Sequence, residues 1–312
     1  MPSLHGLGVS VSNEKVVDPK SGREFYLDSP NDLGPDEQVT FLLNLHGGGS
    51  FGAWQRLYFP AFEYVDAHRI VVATPTAATS EPVRRWVAEA DDQHLKNVVE
   101  LVFDRFGPER IRAFWLVGHS QGGMTSNRLL ETDYFASRVD GWLSLSGGRI
   151  GRAELAPNFG PPQRPGAEMP RFPTGDGERR RPGTAVIPKA DLSFIFATGE
   201  HEIASLPETS PWADRFGAGP RERLDDIVDK EPGQVYDKSR EGNSSPSWGL
   251  LPSPGTAQVF VYPNATGGWV IADVVRLDKG HTEGLEPRIT EELVKMIVGA
   301  PGGKARSILD RV

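Results

Sequence analysis

The chain of 312 residues contains no cysteine, which excludes disulfide staples, thiolate metal sites and a cysteine nucleophile. Long apolar runs are missing as well. The most apolar stretches, such as IVVA at 70–73, are strand-sized and far from the ~18 residues a membrane span requires. The N-terminus, MPSLHGLGVSVSNEKVV, has neither the basic segment nor the apolar stretch of a secretory signal, so the expectation is a cytoplasmic protein without a membrane partner. Positive charge is also in deficit. Lys plus Arg number 34 against 42 Asp plus Glu, and the net charge of −8 argues against a nucleic-acid partner, which would require a basic footprint. Gly (35) and Pro (26), by contrast, are abundant and imply many turns and long loops around the core. A hydrophobic content of 38% lies well away from the composition of disordered chains, so the chain should fold.

Strand-like runs alternate with helix-period segments, the pattern of an α/β protein with a mostly parallel central sheet flanked by helices. The clearest strands are 39–45, 70–73, 114–117, 142–146 and 192–197, nearly continuous apolar runs as expected where helices cover both sheet faces. Leu95, Val98, Val99, Val102, Phe103 and Phe106 repeat at helical spacing, with Asp91 or Asp92 as N-cap and Gly107 as terminator. The same spacing recurs in Ile289, Leu293, Met296 and Ile297 after Pro287. Residues 257–277 read as a hairpin turning at 263–268, and 221–230 as a helix. A single domain over 1–312 is expected, with loop insertions near the active-site face. One is 151–190, where 14 of 40 residues are Gly or Pro and Arg179, Arg180 and Arg181 form a basic run. It reads as a surface excursion or as a cap over a substrate entrance. Residues 205–256 carry Trp212, Phe216, Tyr236 and Trp248, candidates for a pocket wall.

The strongest local signal is Gly118-His119-Ser120-Gln121-Gly122, a Gly-x-Ser-x-Gly pattern between the strand FWLV and the helix-compatible GGMTSNRLLE. Such a turn exposes a serine hydroxyl above the sheet, and the glycines permit the tight backbone. The bare pattern is weak, since about a quarter of one match is expected by chance in a chain of this composition. A second match, Gly48-Gly49-Ser50-Phe51-Gly52, indeed occurs. It overlaps His46-Gly47-Gly48-Gly49, whose glycines suit an oxyanion loop, so Ser50 reads as a decoy and Ser120 as the nucleophile. Gly48, with Gly49 as an alternative, and Gln121 would supply the oxyanion amides. The competing reading of HGGG is a plain turn or a phosphate loop, but no Gly-Lys-Ser/Thr completes a nucleotide site.

A serine nucleophile requires a base. His281 in LDKGHTEG follows the strand-like 270–277, at a position where α/β folds place their ligands. The orienting acid should lie between serine and histidine, and FIFATGEHEI offers Glu202 with Glu200 as the alternative. Glu200-His201-Glu202 as a metal fragment lacks a third ligand partner, so neither a metal nor another cofactor is expected. Trp54, Trp86 and Trp212 are candidates for an aromatic substrate pocket, although Trp is as often core.

Together, HGGG, GHSQG, the acid after TGEHE and KGHTEG resemble the α/β-hydrolase superfamily over roughly residues 39–298. LHGGGSFGAWQ, the RRW at 84–86 and PERIRAFWLVGHSQGG are similar to the esterases grouped with polyhydroxybutyrate depolymerases and feruloyl esterases. That resemblance implies a triad of Ser120, His281 and Glu202, the last placed at the third residue after the turn glycine Gly199. The subgroup commonly has Asp there, together with cysteines and an export signal that this chain lacks, which favours a soluble small-molecule ester as partner over an extracellular polymer. Dehalogenases and epoxide hydrolases of the fold would carry aspartate in place of Ser120. Peptidase, acyltransferase and non-catalytic ligand binding remain alternatives, because the fold alone settles no chemistry.

Overall fold

A computed structural model describes residues 12–160, 184–238 and 245–307. Strands β1 (Ser12–Val17), β2 (Glu24–Ser29), β3 (Val39–Leu45), β4 (Ile70–Pro75), β5 (Ile111–His119), β6 (Gly141–Leu145), β7 (Ser193–Gly199), β8 (Thr256–Val261) and β9 (Ile271–Arg276) form one sheet. Their spatial order is β1-β2-β4-β3-β5-β6-β7-β9-β8. The centre, from β4 through β9, is parallel; β1, β2 and β8 add antiparallel margins.

The apolar runs of the central strands are explained by two cores. Side chains alternate across a strand, so Phe41, Leu43 and Leu45 of β3 enter one core with Phe114 and Leu116 of β5, while Leu42 enters the other with Trp115 and Val117. The helix Ala88–Phe106, α2 in a series that begins with α1 (Gly52–Tyr58), covers the first core with Leu95, Val98, Val99 and Val102. Helix α4 (Pro287–Gly299) covers the second with Ile289, Leu293, Val294 and Ile297. Between them in sequence, α3 (Gln121–Leu129) follows β5 directly.

Two local expectations are corrected. Residues 221–230 form no helix; Glu222–Arg223 and Ile227–Val228 are short strands paired with β8. The apolar spacing of Leu224, Ile227 and Val228 mimics a helix, but the open edge of β8 offers backbone partners that decide the outcome, and Leu224 and Val228 are left exposed. Helix α2 begins before Asp91, with Val87 at its N-cap. Asp91 caps from inside the first turn: its Oδ2 accepts from Val87 N–H at 2.8 Å and its Oδ1 from Ala78 N–H at 2.9 Å. Gly107 terminates the helix at φ 81°, as its position in the sequence implies. Of the 151–190 insertion, 161–183 with the arginine run lie outside the described residues.

Candidate active site

The carboxyl ends of β3, β5, β7 and β9 open on the same side of the parallel sheet and carry His46, Ser120, Glu202 and His281 in the loops that follow. Ser120 is the turning residue between β5 and α3, with φ 50° and ψ −117°, a left-handed backbone that an L-residue adopts only under constraint. Its N–H donates to Leu145 O at 2.8 Å, and its carbonyl accepts from Met124 N–H at 3.1 Å. The turn is possible because α3 packs against backbone. A Cβ on Gly122 would lie 2.2 Å from Leu45 O, so only glycine lets the helix approach β3 this closely.

Ser120 Oγ lies 2.8 Å from His281 Nε2, and His281 Nδ1 lies 2.6 Å from Glu202 Oε2. The carboxylate only accepts, so Nδ1 carries the proton and Nε2 is left to accept from the serine hydroxyl. Glu202 is buried, at 2% exposure. Burial alone would raise its carboxyl, but the charge and hydrogen bond of His281, the Gly199 amide and the Ser146 hydroxyl outweigh burial and hold it below the usual carboxylate range. Both the Gly199 N–H and the Ser146 hydroxyl reach Oε1 at 2.7 Å. Glu200 turns the other way, and its exposed carboxylate accepts from Asp278 N–H at 2.9 Å. The fold therefore sets Glu202, and not Glu200, against His281, and the carboxylates of the Glu-His-Glu stretch diverge instead of converging on a metal.

The HGGG loop is pinned at three points. His46 donates from Nδ1 to Gly47 O at 2.7 Å and accepts at Nε2 from Ala77 N–H at 3.0 Å. Burial pushes this imidazole down to about 4, so it is neutral, as that donor and acceptor pair requires. Trp86 donates its indole N–H to His46 O at 2.8 Å, and Gly49 N–H donates to Arg84 O at 2.7 Å. Gly49 is thereby corrected as an oxyanion candidate, because its amide is already committed. The amides of Gly48 and Gln121 have no protein acceptor among the described residues. The Gln121 side chain accepts from Trp86 N–H at 3.2 Å and lies 3.5 Å from where a Cβ on Gly48 would sit, which brings the two segments together. Ser50 is in the turn before α1, with its Oγ buried and unpartnered.

The three tryptophan candidates separate. Trp212 is fully buried and donates to Leu192 O at 3.0 Å, so it is core and not pocket wall. Trp86 is also buried, its ring tilted against His46 with centroids 4.6 Å apart, and its indole N–H holds the glycine loop through His46 O. Trp54 is half-buried and stacks on Tyr58 at 5.0 Å, beside His119. Besides His119, the rings against His281 itself include Trp248, at 4.9 Å, and Phe159, edge-on at 5.2 Å. Phe159 belongs to the described start of the 151–190 insertion, and nothing in its local sequence signals this contact. Two further residues escaped sequence reasoning. His119 donates from Nε2 to His281 O at 2.8 Å; its complete burial, with the neighbouring His281 charge adding to it, lowers its imidazole well below the usual range and keeps it neutral. Ser146, at φ 55°, directly follows β6, the strand between the serine and glutamate strands, a position from which a hydroxyl next to the acid can be anticipated.

Among solved structures, acetyl xylan esterase from Aspergillus awamori superposes with a TM-score of 0.51, covering 91% of this chain and 99% of its own at 12% identity. The fold is that of the α/β-hydrolases. Over shorter stretches, the substrate-bound fluorophosphonate-binding serine hydrolase FphF of Staphylococcus aureus aligns at 18% identity and a TM-score of 0.33, covering 44% of this chain and 57% of its own. Esterase 2 of Thermogutta terrifontis, phosphorylated by paraoxon, aligns at 14% identity and a TM-score of 0.37, covering 60% and 70%. The chain thus spans less than two thirds of FphF. No family model and no curated protein sequence matches this α/β-hydrolase-fold chain.

Proposed function

We propose that this protein is a serine hydrolase that cleaves carboxylic esters of soluble small molecules through an acyl-enzyme. The observation that carries the reading is the continuous relay Glu202–His281–Ser120, at 2.6 and 2.8 Å, beside the uncommitted amides of Gly48 and Gln121. Ser120 Oγ attacks the ester carbonyl while its proton passes to His281 Nε2. The imidazolium so formed is stabilised by Glu202, and the carbonyl oxygen takes its negative charge against the two amides. Collapse breaks the bond to the alcohol, which leaves with the proton from Nε2. Water then attacks the acyl-serine by the same route, its proton moving to His281 and on to Ser120 as the acid departs. The finer likeness to polyhydroxybutyrate depolymerase and feruloyl esterase types rests on sequence motifs and guides the choice of substrates.

The test is labelling by a fluorophosphonate combined with turnover of p-nitrophenyl, feruloyl, acetyl-sugar and hydroxyacyl esters. Ser120→Ala should abolish labelling and lower kcat by about 10³-fold or more, with the fold retained. Ser50→Ala should label like the parent protein. Labelling that depends on Ser50 and not on Ser120 would overturn the assignment, and an unlabelled parent protein would favour a ligand-binding role.

A further inference from the structure

The relay above leaves Trp248 without a role, although its indole lies against the imidazole of His281 with the planes only 28° from parallel and the centroids 4.9 Å apart. The indole is itself held, since its N–H donates to Asp237 Oδ2 at 3.0 Å. The segment that bears it is tied to the histidine loop bond by bond. His281 N–H donates to Ser247 O at 3.1 Å, and Thr282 donates to Trp248 O from both its amide (2.8 Å) and its hydroxyl (2.9 Å). Leu250 N–H donates to Glu283 Oε1 at 3.2 Å, while Glu283 Oε2 accepts from Gly280 N–H at 2.6 Å. The two segments touch backbone to backbone: a Cβ on Gly280 would lie 2.2 Å from Pro246 O. His119 is another ring neighbour of His281, at 4.8 Å, and the His281 carbonyl also accepts from Tyr58 at 3.3 Å.

We infer that Trp248 is a positioning residue for His281, and that residues 245–250 serve as the strap that keeps it there. This rests on the proposed Ser120–His281 chemistry. The imidazole must hold one nitrogen toward Ser120 and the other toward Glu202 through two proton transfers, and rotation of its ring would break both bonds. A flat aromatic surface at stacking distance resists that rotation. It also favours the imidazolium that forms in acylation and again in deacylation, because the indole face attracts a cation. The Asp237 carboxylate on the indole N–H leaves that face richer in electrons. The effect should therefore appear in the chemical step and not in substrate affinity.

The test compares Trp248→Leu and Trp248→Phe in the full-length protein, using two acetate esters that differ only in the alcohol, p-nitrophenyl and ethyl, and the rate of fluorophosphonate labelling. Trp248→Leu should lower kcat for both esters and the labelling rate by about tenfold, with KM changed less than about twofold. Trp248→Phe, which keeps a ring on the imidazole, should recover activity to within about threefold of the parent. If the leucine variant does not fold, Trp248→Met carries the same prediction. Parent-like turnover in a folded, ring-less variant would overturn the inference. So would a loss confined to KM of the p-nitrophenyl ester, which would make Trp248 a wall for the alcohol. Failure of the parent protein itself to label would instead remove the Ser120 reading.

Discussion

Glu200 and Glu202, two positions apart in one short turn, differ in the respect that chemistry can use: which way the turn after β7 sends them. Glu202 faces inward onto His281, Ser146 and the Gly199 amide, whereas Glu200 faces solvent and the Asp278 amide. Glu202→Gln should lower kcat by about 10³- to 10⁴-fold, because an amide at this position permits the wrong histidine tautomer and removes the charge that stabilises the imidazolium. Glu200→Gln should change kcat by less than about twofold. Steady-state kinetics of the two folded variants on one p-nitrophenyl ester decide between them, and a larger loss at position 200 would reverse the assignment. Sequence alone offered both glutamates, since two acids flanking His201 in one short turn share the same composition signal and differ only in direction.

At the level of elements, the site depends on how closely α3 is allowed to approach the sheet. Gly122 touches the carbonyl at the end of β3, and Gly47 brings the glycine loop against the other side of the serine turn, where a Cβ would meet His119 Nδ1 at 2.7 Å. Gly122→Ala should destabilise the protein by about 1–3 kcal/mol or more, since backbone and not a flexible side chain must yield. Thermal unfolding checks this, and an unchanged Tm would show that α3 can withdraw at little cost. The remaining labelling rate should fall with it, because withdrawal moves the Ser120 turn. The Gly-x-Ser-x-Gly pattern made such a turn legible, as did the strand before it and the helix after it. The pairing of 222–223 and 227–228 with β8 was not legible, because an edge that needs backbone partners is a property of the assembled sheet.

For the whole molecule, burial of histidines couples folding to pH. His46 titrates at about 4 in the folded protein, below the ordinary 6.5, with burial as the main cause; burial also lowers His119 and His94. The unfolded chain therefore binds protons that the folded chain refuses. Stability contributed by His46 is complete above pH 6.5 and is lost as pH falls toward 4, by up to about 3 kcal/mol. The denaturation midpoint in urea should thus drop steeply between pH 6.5 and 4. A midpoint flat over that interval would mean that these imidazoles accept protons without unfolding.

The sequence by itself determined the class of fold and the places where chemistry can reside. Continuous apolar strands alternating with amphipathic helices leave little choice but a parallel sheet covered on both faces, and glycine-rich turns after such strands mark where backbone approaches backbone. Tertiary structure decided everything that depends on direction and on distance along the chain. It set Glu202 against His281 across 79 residues, committed the Gly49 amide to Arg84, sent Trp212 into the core and brought Trp248 and Phe159 onto the histidine. The physical reason is that side-chain periodicity is a local property, fixed by a few neighbouring residues. Which buried donor finds which acceptor is settled only when loops from four separate strands close over the same end of one sheet.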